Sequence, residues 1–192
     1  LHILDKLASR DIPLTVATID MDWHWSTTLD ERKGITAAGK NDAYHGGSKG
    51  WTGYSWNTDL FPDYKAFLKK IQDRNLKITL NLHPADGIRY FEDMYPQMAE
   101  AVGVDPKSEQ HISFDFTSDD FINAYFKVLH KPYEEDGVEF WWIDWQQGNQ
   151  TAMPGLDPLW ALNHYHTLDN GVNHMPLILS RYCGIGSHRY PL

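Results

Sequence analysis

The sequence predicts an α/β fold: a (β/α)8 TIM-type barrel, of which the 192 residues supply about five βα units. Three observations carry this expectation. Five β-rich runs alternate with helix-like segments, as parallel βαβ units require. Each run carries a polar residue at or near its C-terminal end, namely Asp20, His83, Asp115, Asp144 and Arg181. In a barrel all strand ends open onto one face, whereas an open doubly wound sheet gathers ligands only at its switch point. Finally, no run is followed by the G-x-G-x-x-G of a dinucleotide-binding sheet. A whole barrel typically takes ~250 residues, so residues 1–192 are expected to form one partial barrel domain.

The elements follow in order. Ile3, Leu4 and Leu7 share one face of a helical segment at the start of the chain. IPLTVATIDMDW (12–23) is β-rich and stops at polar and aromatic residues. Thr27–Thr58 is too polar and glycine-rich for a core element. Asp59 signals a helix over LFPDYKAFLKKIQDRN, with Phe67, Leu68 and Ile71 at helical spacing and basic residues towards its end. LKITLNLHP (76–84) is a strand stopped by proline. Residues 90–101 read as helix, HISFDF (111–116) as a short strand, and TSDD opens a helix with an acidic first turn. GVEFWWIDW (137–145) is apolar on both faces, as a buried parallel strand should be. DPLWALNHYHTL is helical, and MPLILSRY closes as the fifth strand.

Composition narrows the function. The apolar share of 42%, with 8 Trp, 10 Tyr and 8 Phe, suffices for a core. Against 26 Asp and Glu stand 17 Lys and Arg, a net charge of −9 with His neutral. That balance argues against nucleic acid or an anionic membrane surface as a partner. No apolar run approaches the ~18 residues of a membrane span, and the start of the chain has no signal-peptide pattern. The chain begins with Leu1 rather than Met, which points to a segment cut from something longer. The single Cys183 excludes an internal disulfide and a thiolate zinc cluster.

Asp144 is the sharpest chemical signal. It follows the apolar run Phe140–Ile143, so its carboxylate emerges at the end of a buried strand. A charge there is costly unless hydrogen-bonded or functional; the plain alternative is an Asp that caps the next segment. Asp20 and Asp22 share one side of the first strand if it extends that far, although Asp22 serves equally well as a loop cap. Carboxylates among indole rings fit a sugar site, because aromatic faces stack on pyranose rings while carboxylates and Arg bind hydroxyls. Alternation sends one of Trp141 and Trp142 into the barrel and the other under a helix. Trp51, Tyr54 and Trp56 either line a cleft or pack their loop down. His24, His83, His164, His166 and His174 could in principle ligate a metal. The H-x-H pair at 164 and 166 sits in a helix, however, where i and i+2 face apart. The DMD at 20–22 lacks the rest of a calcium loop, and Asn149-Gln150-Thr151 is only a short match to a glycan acceptor. No metal and no cofactor is expected.

As a set, IPLTVATIDMDW, LFPDYKAFLKKIQDRNLKITLNLHPADG, FWWIDWQQG and LILSRYCGIGSHRYP resemble the catalytic barrel of glycoside hydrolase family 31, the α-glucosidase and α-xylosidase family. They run almost from end to end in the family's order. The resemblance implies a retaining α-glycoside hydrolase, with Asp144 as nucleophile and Asp20 as a hydroxyl-binding carboxylate. It implies that Arg181 orients the nucleophile and that Trp142 walls the same subsite; His83 joins them as a substrate-binding candidate. Better-known members continue from the nucleophile with Met-Asn-Glu, where this chain has Trp145-Gln146-Gln147-Gly148, so the resemblance is to a divergent branch. The family's acid/base Asp falls a few residues beyond Arg189-Tyr190, past Leu192. Residues 1–192 alone are therefore expected to be inactive, and to self-associate or to need a companion fragment. Two other readings remain: a carbohydrate-binding protein without catalysis, and a metal-dependent barrel hydrolase.

Overall fold

The computed structural model describes residues 1–25, 53–145, 147–148, 151–172 and 174–191. Four parallel strands form one sheet in sequence order: β1 (Val16–Ile19), β2 (Lys77–Leu82), β3 (Phe140–Ile143) and β4 (Leu179–Ser180). Among the described residues the α-helices are α1 (His2–Ala8), α2 (Tyr64–Gln72), α3 (Tyr95–Ala101), α4 (Asp119–Ala124), α5 (Lys131–Glu135) and α6 (Pro158–Asn170). A π-helical segment, Tyr125–His130, joins α4 to α5. Parallel neighbours in unbroken sequence order are what successive βα units of a barrel produce.

Each side of the sheet follows from strand alternation. Ile78, Leu80, Leu82, Trp141 and Ile143 are all buried on one side. There the Trp141 ring meets His130 and Tyr133, and its indole N–H donates to Glu134 on α5. Trp141 is thus the indole under the helices. The other side carries Thr18, Thr79, Asn81, Phe140, Trp142 and Leu179, paired in register. It is the barrel-interior side.

Side-chain caps mark three of these six helix starts. The side chains of Asp63, Ser118 and Asp157 accept from Ala66 N, Phe121 N and Trp160 N. Helix α2 therefore begins at Asp63 and not at Asp59. Proline 62 disfavours helical backbone at Phe61, and Asn57 instead accepts from the amides of Asp59 and Leu60 in a turn.

Three strand expectations are corrected. HISFDF is not a strand among the described residues. Ile112 forms only an isolated antiparallel bridge with Ile88, and Phe114 and Phe116 pack on Phe121. Period-two burial is met here by helix contacts, without a ladder. Asp115 accordingly ends no strand, and its carboxylate accepts from the Thr117 amide and hydroxyl. The first strand loses its leading Ile12 and Leu14, both exposed. The last shrinks to two residues: Pro176 has no N–H to offer a ladder, and the amides of Leu177 and Ile178 donate to Asn170 Oδ1 and the Pro191 carbonyl instead.

The segment after β1 returns to it. Trp25 N donates to Ser55 O at 2.8 Å and Asn57 N to Trp23 O at 2.8 Å. A Cβ on Gly53 would collide with the His24 ring and the Trp25 carbonyl, so only glycine permits this approach. Tyr54 and Trp56 are buried by the return, with Trp56 stacked on Tyr64 at 4.6 Å. They pack the core and line no cleft. Trp51, Asn149 and Gln150 lie outside the described residues.

Glu92 anchors this return. It is 3% exposed, and one carboxylate oxygen accepts from Tyr54 N at 3.1 Å and Ser55 Oγ at 2.6 Å. Burial pushes its pKa up to about 7, against the pull of those donors and of Arg89. Because the folded state holds this proton more tightly than the unfolded chain, the contribution is full below about pH 4.5. It fades as pH rises through about 7. Glu92→Gln, which cannot ionise, should flatten that part of the stability profile. Urea denaturation at pH 5 and pH 8 checks this: the wild type is expected to lose more stability between the two than the variant.

Candidate active site

The interior side of the sheet leads directly to the strand ends. Two residues beyond Thr18, Asn81, Trp142 and Leu179, alternation brings up Asp20, His83, Asp144 and Arg181 on that same side. The ladder runs one residue past β3 and β4. Asp144 N donates to Leu82 O and Arg181 N to Ile143 O, both at 3.1 Å. The backbone at Asp144 and Arg181 is thereby as firmly placed as the strands themselves.

Asp144 is 6% exposed. Its Oδ1 accepts from Arg181 Nε and from the Trp145 amide at 2.9 Å. Its Oδ2 faces His83 Nε2 at 3.5 Å. A guanidinium and a backbone amide thus both donate to one oxygen, and hydrogen bonds to a carboxylate from such donors are the strong kind. Burial depresses the His83 pKa, outweighing the attraction of Asp144 and Asp20, so the imidazole is neutral near pH 7. His83 is also largely buried.

Arg181 is anchored at its tip and open along its side, with a side-chain exposure of 47%. Its hydrogen bond to Asp144 raises its pKa. The guanidinium carbon lies 5.0 Å from the Trp145 ring centre and 4.7 Å from that of Tyr182. Those two rings stack on each other at 5.5 Å. Asp20 is exposed and accepts from Met21 N at 2.7 Å. Its charge acts on both His83 and Arg181. β1 ends at Ile19, so Asp20 caps the 3-10 turn Met21–Trp23 and Asp22 sits exposed within that turn. The two carboxylates therefore do not extend one strand face. Trp142 is half-buried one layer below Asp144. Asp20, His83, Asp144 and Arg181 thus converge on one mouth, with Trp142 on the wall beneath.

Residues the sequence did not single out complete the arrangement. Trp145 and Gln147 both have left-handed backbone, with φ of 61° and 64°. Such a conformation costs on the order of 1 kcal/mol or more for a side-chain-bearing residue. Gln147 is buried, and its amide bonds the backbone on both sides: Oε1 accepts from Ala85 N at 2.9 Å, and Nε2 donates to the carbonyls of Asp144 and Trp145. Gly148 at φ 87° was the one visible signal of a turn here.

The other candidate histidines have partners elsewhere: His24 Nδ1 lies 3.0 Å from the Trp25 carbonyl and His174 Nδ1 3.0 Å from that of Met175. His164 contacts the Tyr190 hydroxyl at 2.9 Å while His166, buried, meets the Tyr125 hydroxyl at 3.0 Å, so the pair does face apart. Burial lowers the pKa of His24 to about 4. Among the described residues no group of three or more His, Cys, Asp or Glu is placed to hold a metal ion. Nor is any described helix long and apolar enough to cross a membrane.

A parallel β/α sheet whose strand ends gather a guanidinium-clasped carboxylate defines a (β/α)-barrel protein with a polar mouth. The chain belongs to glycoside hydrolase family 31: the sequence model of the glycosyl hydrolases family 31 TIM-barrel domain matches residues 1–192. Among solved structures, it is similar to a xylosidase from Aspergillus niger (TM-score 0.59, 15% identity) over 99% of this chain and 30% of that one. It is also similar to a family 31 sulfoquinovosidase from E. rectale in complex with an aza-sugar inhibitor (TM-score 0.57, 17% identity), over 98% and 29%. A third is a family 31 α-xylosidase from a soil metagenome complexed with xylose (TM-score 0.56, 12% identity), over 92% and 26%. These likenesses show the fold, and the chain spans less than a third of each structure. No curated protein matches it.

Proposed function

We propose that the protein is a retaining α-glycoside hydrolase that cleaves α-glucosides or another α-linked sugar, and that residues 1–192 carry its nucleophile side. The observation that carries this reading is the clasp on Asp144: a carboxylate at the end of a buried strand, accepting from Arg181 and the Trp145 amide, opening on the barrel mouth. In this chemistry one carboxylate attacks the anomeric carbon and displaces the leaving oxygen, giving a glycosyl ester. A second carboxylic acid ~5–5.5 Å away protonates that oxygen and then activates water to cleave the ester. Asp144 is the attacking group. The proton donor is not assigned to any described residue.

Around the attacked carbon, Asp20 and Arg181 bind sugar hydroxyls, His83 offers a neutral imidazole and Trp142 walls the subsite. Membership of the family supports a glycoside as substrate, and the name of one neighbour, an α-xylosidase, supports an α linkage. No cofactor enters the scheme. Incubation with a 5-fluoro-α-glycosyl fluoride separates this reading from a carbohydrate-binding protein without catalysis, because only a competent nucleophile takes a covalent label. Full activity in the presence of a chelator separates it from a metal-dependent hydrolase.

Residues 1–192 by themselves are proposed to be inactive and self-associating. Leu179 in β4 and Leu177 just before it are exposed, as is Ile185 in the segment that follows; open strand edges and apolar surface both promote association. Sedimentation velocity at tens of micromolar should show oligomers that a companion fragment dissolves. A monomer that melts cooperatively and cleaves an aryl α-glucoside would contradict this.

A further inference from the structure

Gln147 does more than fill space. Among the described residues its side-chain hydrogen bonds go to backbone, and they join two strand ends. On one side is Ala85, two residues after His83; on the other is the carbonyl of Asp144 itself. The same turn aims the Trp145 amide, which donates to Asp144 Oδ1 at 2.9 Å. Two residues in left-handed backbone so close to a clasped carboxylate persist only where the surroundings hold them, and such outliers cluster at functional sites.

We infer that Gln147 is a positioning residue: by tying the turn after β3 to the end of β2, it aims the Asp144 carboxylate at the sugar. The physical chain is short. Loss of the amide frees the Asp144 carbonyl and the turn relaxes. The Trp145 N–H then swings away from Oδ1, and the carboxylate loses one of its two fixed donors. Attack geometry suffers while the sugar subsite, built from Asp20, Arg181 and Trp142, remains.

The inference rests on Asp144 being the nucleophile, and the test separates the two. In the full natural polypeptide, 5-fluoro-α-D-glucosyl and α-D-xylosyl fluorides are used as probes, and the rate of adduct formation on Asp144 is followed by mass spectrometry. Gln147→Ala should lower the limiting labelling rate roughly 10²-fold, as a misplacement of about 1 Å does, with the half-saturating probe concentration little changed. Gln147→Glu keeps the acceptor for Ala85 N but, when ionised, has no donor for the two carbonyls. It should be slow at neutral pH and recover relative to wild type as acid protonates it, a response that mere packing would not give. This second variant also serves if the alanine form does not fold. A wild-type rate in either variant at neutral pH overturns the inference, as does a change in half-saturation alone. A wild type that takes no label on Asp144 overturns the reading beneath it.

Discussion

Asp144→Asn in the full natural polypeptide should abolish turnover of 4-nitrophenyl α-D-glucoside, with kcat down roughly 10⁴–10⁶-fold, the range seen when a covalent nucleophile is removed. The reason is chemical, because an amide cannot form the glycosyl ester. The fold should survive, for reasons local to the site. Asn is nearly isosteric with Asp, and its oxygen can still accept from Arg181 Nε or the Trp145 amide. His83 is neutral near pH 7, so loss of the negative charge strands no buried cation. Arg181 is half exposed and can turn to water. Near-wild-type melting with no turnover is the expected pair of results. Asp144→Ala leaves room for a small anion, and sodium azide should restore turnover with formation of the β-glycosyl azide. Substantial activity in the Asn variant, with no azide product from the Ala variant, would remove Asp144 from this role.

Arg181 should follow in magnitude. Its Nε donates to Asp144 Oδ1, and its guanidinium lies against Trp145 and Tyr182. On the proposed function, Arg181→Ala removes a donor to Asp144 and a sugar-hydroxyl contact together. Loss of one such electrostatic partner costs about 10²–10³ in rate, and kcat/KM should fall by at least that. Lysine should recover little, since it lacks both the planar donor and the stacking face. Asp20 is exposed and not bonded to Asp144 in this way, so Asp20→Ala should cost less, about 10–100-fold in kcat/KM for one charged hydrogen bond. Both kcat and KM should move, as expected if the contact tightens while the sugar ring flattens. A normal kcat/KM in either alanine variant would mean that its side chain does not touch substrate.

How much of this could be read from the chain differs by element. β2 and β3 were legible because long apolar runs end in a polar residue and a stop. Alternation then determines that His83 and Asp144 leave on the interior side. The helix start at Ser118 was legible from the entry segment TSDD, which supplies the cap. HISFDF misled because period-two burial does not distinguish a ladder from a segment wedged against helices. The same limit applies to Tyr54 and Trp56. Aromatic residues in a glycine-rich loop look free until the return against Trp23–Trp25 is seen. Least legible was the turn after Asp144. Neither the left-handed backbone at Trp145 and Gln147 nor the bridge to Ala85 has a local signature, because its partner lies 62 residues away. Glu92 was hidden for the same reason, as its donors come from a distant segment.

The account stands most directly on which residue carries the sugar. The full natural polypeptide, incubated with 5-fluoro-α-D-glucosyl or α-D-xylosyl fluoride, digested and sequenced by tandem mass spectrometry, should yield one peptide heavier by one fluoroglycosyl group. The added mass should sit on Asp144, within Phe140–Trp145, and be lost in hydroxylamine as an ester is. An adduct on any other carboxylate, or turnover of the probe with no ester on Asp144, would contradict it.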